Sequence, residues 1–263
     1  MKIGFIGCGN MAKAMIAGIL KNGLCKPVEI TASARTAETL EKAKAQYGIS
    51  TTQNNQAVAE ASDVLVLAVK PQFYETVIAQ IRGSISNQLI ITIAPGKTLA
   101  WLGEQFGGQV PIIRTMPNTP AMVGEGITAV CPNEEITPAL LERALRVLRS
   151  FGKAEVVPEN LMDAVTAVSG SSPAYVFLFI EAMADAAVAD GMPRKQAYTF
   201  AAQSVLGSAK MVLETGKHPG ELKDMVCSPA GTTIAAVRVL EEKGLRGCVM
   251  DAMKACSDKS KGM

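Results

Sequence analysis

Seven residues, Cys227-Ser-Pro-Ala-Gly-Thr-Thr233, gather three hydroxyls, a proline and a glycine directly ahead of the apolar run Ile234–Leu240. Hydroxyls so placed do one of two kinds of work. They cap a helix by accepting from its first-turn N–H groups, or they join spare N–H groups in holding an anion such as a carboxylate. A second stretch of the same composition, Ser169-Gly-Ser-Ser-Pro-Ala-Tyr175, stands ahead of another long helical run. One Ser suffices for a cap, and Pro is at home in a first turn, so the remaining hydroxyls and the internal glycines exceed that need. Stronger acid–base groups are scarce. The chain has one histidine, His218, whose neighbours Pro219 and Gly220 mark it as a turn residue or helix-start partner. Six cysteines, at 8, 25, 131, 227, 248 and 256, make no CxxC pair and do not cluster with His218. Neither a metal site nor a disulfide framework is expected from them, and free thiols in a reducing compartment are.

A second set of residues suits a dinucleotide. Lys2–Ile6 reads as a short buried strand, followed by Gly7, Gly9 and Ala12 as GxGxxA and by a helical run closed at Gly23. Strand, glycine turn and helix in immediate succession is the context the dinucleotide fingerprint requires. Gly7 permits the tight turn, Gly9 admits a pyrophosphate to the backbone, and Ala12 lets the helix pack closely. The next strand, Val28–Ser33, should end on an acid if ribose hydroxyls alone were to be bound. It runs instead into Thr31-Ala-Ser-Ala-Arg-Thr36. Ser33 and Arg35 can donate to a 2′-phosphate, and Arg matches phosphate geometry, so NADPH is the expected cofactor, with NADH possible.

The elements that must position these residues follow from patterning. Apolar runs at 63–69, 88–94 and 110–116 read as further strands, the first two unbroken, as in parallel strands covered on both faces. The turns after them, Lys70-Pro71, Pro95-Gly96 and Pro117–Pro120, should line the cofactor cleft beyond the strand ends. Edge strands are expected around 126–132 and 153–158. From about Pro158 the pattern becomes helical, with helices at 159–168, 173–190, 194–215, 219–226, 230–243 and 244–258. The helices at 173–190 and 194–215 carry small and apolar residues on more than one face, so they must be buried. Too little chain remains to cover them, and a homodimer interface is expected there. The fold class is thus an α/β Rossmann domain over 1–158 followed by an all-α dimerisation domain over 159–263.

Composition bounds the function. The chain has 263 residues, 48% hydrophobic and 5% aromatic, with a net charge of +2. With few aromatics and no basic run, it suits no nucleic-acid partner. The N-terminus is broken by Gly, Asn and Lys too early for a signal-peptide core, and the longest apolar stretch carries Glu181, Asp185 and Asp190. A cytoplasmic protein that does not enter a membrane is expected.

Five segments in order, Gly4–Ala12, Ala68–Pro71, Arg114–Ala129, Ser169–Phe177 and His218–Ile234, resemble pyrroline-5-carboxylate reductases. The resemblance spans nearly the whole chain, and its last two segments are specific. It implies reduction of 1-pyrroline-5-carboxylate to L-proline with NADPH or NADH, the last step of proline biosynthesis. It also implies interlocked dimers that form the active sites, and a larger ring such as a decamer. By position it implies that Ile6, Gly7, Cys8, Gly9, Asn10 and Met11 hold the pyrophosphate, and that Ser33 meets the adenosine ribose or its phosphate. Asn55 with Ala68, Val69, Lys70 and Pro71 would line the adenosine and ribose path, with Ala94 near the nicotinamide. Ser228 and the backbone of Gly231 and Thr232 would take the substrate carboxylate, and Thr233 the ring nitrogen. The family commonly has two glycines after the proline of the last motif, where this chain has Ala230-Gly231. A positive φ at 230 would be costly for alanine. A hydroxyacid dehydrogenase shares the first motif but needs a base, for which Lys210 is the one candidate on a suitable helix.

Overall fold

The computed structural model describes residues 1–262. The first strand, β1 (Ile3–Ile6), runs into helix α1 (Asn10–Lys21). There follow β2 (Ile30–Ser33), α2 (Ala37–Tyr47), β3 (Ser50–Thr52), α3 (Asn55–Glu60), β4 (Val64–Leu67), α4 (Tyr74–Ile81), β5 (Leu89–Thr92), α5 (Leu99–Phe106) and β6 (Ile112–Met116). Two more strands, β7 (Gly126–Pro132) and β8 (Gly152–Val156), flank α6 (Pro138–Leu148). One eight-stranded sheet results, in the order β3-β2-β1-β4-β5-β6-β7-β8. The first six strands are parallel in the doubly wound order. β7 then turns antiparallel to β6 and pairs parallel with β8. Sequence reading made 126–132 an edge strand; it is internal, and β8 is the edge.

The strands are buried because they are apolar on both faces. Alternation sends Ile3, Phe5, Val64 and Val66 into one core, with Met15, Ile16 and Ile19 of α1. Ile6, Leu65 and Leu67 go to the opposite core, with Ile78 and Ile81 of α4. Burial at roughly 25 cal/mol per Å² of apolar surface makes these two layers the main stabilising term of the sheet.

The rest is helical: α7 (Met162–Val165), a π-turn over Thr166–Gly170, then α8 (Ser172–Ala189), α9 (Arg194–Thr215), α10 (Pro219–Met225), α11 (Thr232–Glu242) and α12 (Leu245–Lys261). Two compact units emerge, Met1–Ser171 together with the segment from Cys256 onward, and Ser172–Ala255. In the first, Arg114 of β6 pairs with Glu159 at 2.8 Å, and Glu159 also accepts the Leu99 N–H at 2.7 Å. In the second, α8 and α9 pack on each other through Ala184, Ala197 and Ala201. Most of their remaining apolar surface faces outward: Phe177 is 62% exposed, Leu178 67% and Phe200 67%. The helical run Glu159–Ala189, with a mean hydropathy of 1.4, is the one among the described residues long and apolar enough to cross a membrane.

Candidate active site

The C-terminal end of β1 delivers Gly7 at φ 97°, a conformation open to glycine and costly to other residues. A Cβ there would lie 2.6 Å from the Ala68 carbonyl oxygen, so the turn is held hard against the end of β4. Gly9 then caps α1, with no side chain bonded to the first-turn N–H groups. A Cβ on Gly9 would meet no atom within 4 Å. Free donors at a helix start, facing space that no side chain fills, form a phosphate cradle, and the residues present fit a dinucleotide pyrophosphate. Cys8 and Met11 are packed into this turn. Burial raises the pKa of the Cys8 thiol, which makes it an inert packing residue.

Around the cradle, the predicted cofactor residues fall at the ends of β2, β4 and β5. Ala68 donates its N–H to the Ile6 carbonyl at 2.8 Å. Val69, Lys70 and Pro71 follow in the turn after β4, and Ala94 is buried just beyond β5. Ser33 is fully buried; its hydroxyl donates to Asn55 Oδ1 at 2.7 Å, and Asn55 donates on to Gln80 at 2.8 Å. The two residues are therefore brought together, with the Ser33 proton already spent on its neighbour. Arg35 lies exposed past the end of β2, its guanidinium 4.5 Å from the centre of the Phe73 ring.

Sequence reasoning missed Tyr74. This fully buried side chain donates to the Leu67 carbonyl at 2.6 Å and accepts the Ile93 N–H at 3.3 Å, tying the ends of β4 and β5 together below the cradle. Burial drives its hydroxyl pKa well above the usual tyrosine value, so it stays a neutral strut. A tyrosine three residues after a strand-ending Lys-Pro is the only sign it left in the sequence.

The opening hydroxyl motif is built differently from the expected cap. α11 starts at Thr232, not 230, and its N-cap is Gly231, with no side-chain cap. The Gly231 N–H donates to the Ser228 carbonyl at 3.0 Å, and a Cβ on Gly231 would sit 2.3 Å from Ser228 Oγ. The bend is completed by Ala230 at φ 57°, the one non-glycine residue with positive φ among those described. Ser228 thus overhangs a helix start whose first N–H groups, on Thr232, Thr233 and Ile234, have no intrahelical partner. Unspent donors at a helix start are suited to an anion.

The stretch Ser169-Gly-Ser-Ser-Pro-Ala-Tyr175 is helical rather than a loop, divided between a π-turn that ends at Gly170 and α8 from Ser172. The π-turn occupies Thr166–Gly170, where Thr166 and Ser169 donate back to the Met162 and Val165 carbonyls at 2.9 and 3.0 Å. Asn118 donates to the Ser169 carbonyl at 3.1 Å, and Cys256 bonds the Ser171 hydroxyl at 3.2 Å. His218 caps α10, its Nδ1 accepting the Gly220 N–H at 3.0 Å. Lys210 is exposed and ion-paired with Glu214 at 3.4 Å, a surface helix pair rather than a catalytic base.

A doubly wound sheet, a glycine-capped phosphate cradle at its first turn and an anion-accepting helix start in the helical half define a dinucleotide-dependent oxidoreductase. Comparison with known proteins gives the family. Residues 159–263 match the model for pyrroline-5-carboxylate reductase dimerisation, and residues 2–96 match NADP oxidoreductase, coenzyme F420-dependent. The pyrroline-5-carboxylate reductase of Escherichia coli (strain K12) is 53% identical over 98% of this chain and 97% of its own. That of Methanosarcina acetivorans is 47% identical over 99% and 97%. A solved Plasmodium falciparum pyrroline carboxylate reductase with NADP bound superposes with a TM-score of 0.90 at 32% identity, covering 100% of this chain and 97% of that one. This chain belongs to the pyrroline-5-carboxylate reductase family. The exposed apolar surface of α8 and α9 falls within the stretch matched by the dimerisation model.

Proposed function

We propose that this protein reduces 1-pyrroline-5-carboxylate to L-proline, taking hydride from NADPH in preference to NADH. The observation that carries the reading is the pair of uncapped, glycine-started helices, one fitted to a pyrophosphate and one overhung by the hydroxyl of Ser228. Ile6–Met11 hold the pyrophosphate. Arg35 takes the adenosine end, next to the Ser33–Asn55 pair whose mutual hydrogen bond uses the Ser33 proton, with Ala68–Pro71 along the ribose path and Ala94 on the nicotinamide side. Ser228 and the N–H group of Thr232 bind the substrate carboxylate; the Gly231 N–H, expected from the sequence to join them, is held instead by the Ser228 carbonyl at 3.0 Å. Thr233 holds the ring nitrogen.

The chemistry asks little of the protein's acids. When bound, the reduced nicotinamide supplies a hydride. The imine carbon accepts hydride best with its nitrogen protonated, because the positive charge is then quenched as the C–H bond forms. The substrate can arrive as the iminium, so the site must orient the ring rather than protonate it. A neutral hydroxyl suits that task, whereas a cationic His or Lys beside the nitrogen would repel it. The product amine keeps the proton it came with, and no residue need give one up.

The reading includes a division of labour at 158/159, with the cofactor held before it and dimerisation and substrate binding after it. It includes a cytoplasmic homodimer with interlocked helical halves, and a larger ring such as a decamer. The test is consumption of NADPH with pyrroline-5-carboxylate, repeated with NADH. Turnover of hydroxyacids but not of pyrroline-5-carboxylate would reject it, and cofactor binding without turnover would recast the protein as an NADP-binding sensor. Sedimentation of the purified protein measures the assembly.

A further inference from the structure

Phe73 has no place in the cofactor contacts assigned above, yet it sits where one is controlled. It closes the short 3-10 turn Pro71–Phe73 after β4, and its N–H donates to the Lys70 carbonyl at 2.9 Å. The next residue, Tyr74, is fully buried and bonded to the end of β4, so the Phe73 ring stands on a fixed base. Arg35 lies past the end of β2, and β2 and β4 flank β1 on either side. The 4.5 Å contact between the Arg35 guanidinium and the Phe73 ring therefore reaches across the end of β1, above the glycine turn. Arg35 has no carboxylate partner among the described residues, and its backbone carbonyl is held by Gln53 Nε2 at 3.0 Å. The aromatic face is what fixes the guanidinium, and stacking on one face leaves the N–H edge and the other face open.

We propose that Phe73 is a positioning residue for cofactor selectivity: its ring holds Arg35 so that the guanidinium edge meets the 2′-phosphate of NADP(H). The proposal rests on the NADPH preference stated above. An exposed arginine unsupported by an aromatic face spends its time among many rotamers and must be ordered on binding. Phe73 makes that ordering in advance. The gain applies to the phosphorylated cofactor alone, because NADH offers Arg35 no phosphate at that position.

The test is a set of binding titrations of the full chain with NADP⁺ and NAD⁺, read from intrinsic fluorescence or calorimetry and independent of any substrate. Phe73→Leu should raise the Kd for NADP⁺ about two- to fivefold, the size of an exposed cation–π contact, without moving that for NAD⁺. Phe73→Trp should restore it. In an Arg35→Ala background, Phe73→Leu should add nothing. Equal weakening toward both cofactors, or a further loss on top of Arg35→Ala, would overturn the positioning role. A wild-type protein that binds NAD⁺ as tightly as NADP⁺ would reject the cofactor preference itself. An NADP⁺ affinity left unchanged by Phe73→Leu would reject only the role of Phe73.

Discussion

Two helices here begin on a glycine with nothing to cap them, and they differ in how the chain enters them. α1 is reached from a fully buried strand, the left-handed residue is Gly7, and the space over Gly9 is open. α11 is reached from an exposed loop, the left-handed residue is Ala230, and the space over Gly231 is already taken by Ser228. The first start is a backbone device, shaped by the absence of side chains, and it suits a large, invariant group such as a pyrophosphate. The second surrounds the same kind of donors with hydroxyls, and so can grip a small substrate at two distinct atoms. Selectivity in the first comes from room, in the second from chemistry.

Substitutions separate the two designs, the largest effect first. Gly7→Ala forces a left-handed alanine against the Ala68 carbonyl and should destabilise the fold by roughly 3 kcal/mol in urea denaturation. Gly9→Ala meets no protein atom, so it should unfold with the wild type while losing at least about tenfold in cofactor affinity. Wild-type binding by Gly9→Ala would take the phosphate away from α1. Thr233→Ala should lower kcat at least about tenfold through loss of an orienting hydrogen bond; unchanged steady-state constants would remove it from the mechanism. Ser228→Ala should raise KM for the imine by about tenfold, the worth of a hydrogen bond to a charged group, and a change confined to kcat would contradict its carboxylate role. The smallest effect belongs to Ala230→Gly. Relief of about 1–2 kcal/mol of left-handed strain is offset by about 0.4–1 kcal/mol from a looser unfolded chain. A rise of roughly 2 °C in Tm is expected, and an unchanged Tm would mean that the loop carries its bend without strain.

What the sequence made legible was what hydrophobic period and glycine placement encode. The β1–turn–α1 unit, the apolar strands and the helix Arg194–Thr215 stand where patterning puts them. β3 escaped because Ser50–Thr52 carries no apolar run; it is a strand only because Ser33 and its neighbours in β2 offer it a partner. The internal place of β7 escaped because strand order is a long-range property that no local pattern records. The Ser169 segment looked like a loop because hydroxyls usually mean solvent, yet Thr166 and Ser169 turn theirs inward onto the carbonyls of the preceding turn. The residue types at the second helix start were readable, but its capping glycine was not, since only the backbone reveals that Ser228 leaves the first-turn donors unspent.

The outward-facing side chains of α8 and α9 carry a thermodynamic consequence. Phe177, Leu178 and Phe200 contribute little to a lone chain, because water reaches them whether that chain is folded or not. They contribute once another copy covers them, and the free energy of that step depends on how many copies are in solution. Thermal unfolding of this protein should therefore follow mass action, with a midpoint that climbs as the sample is concentrated and falls as it is diluted.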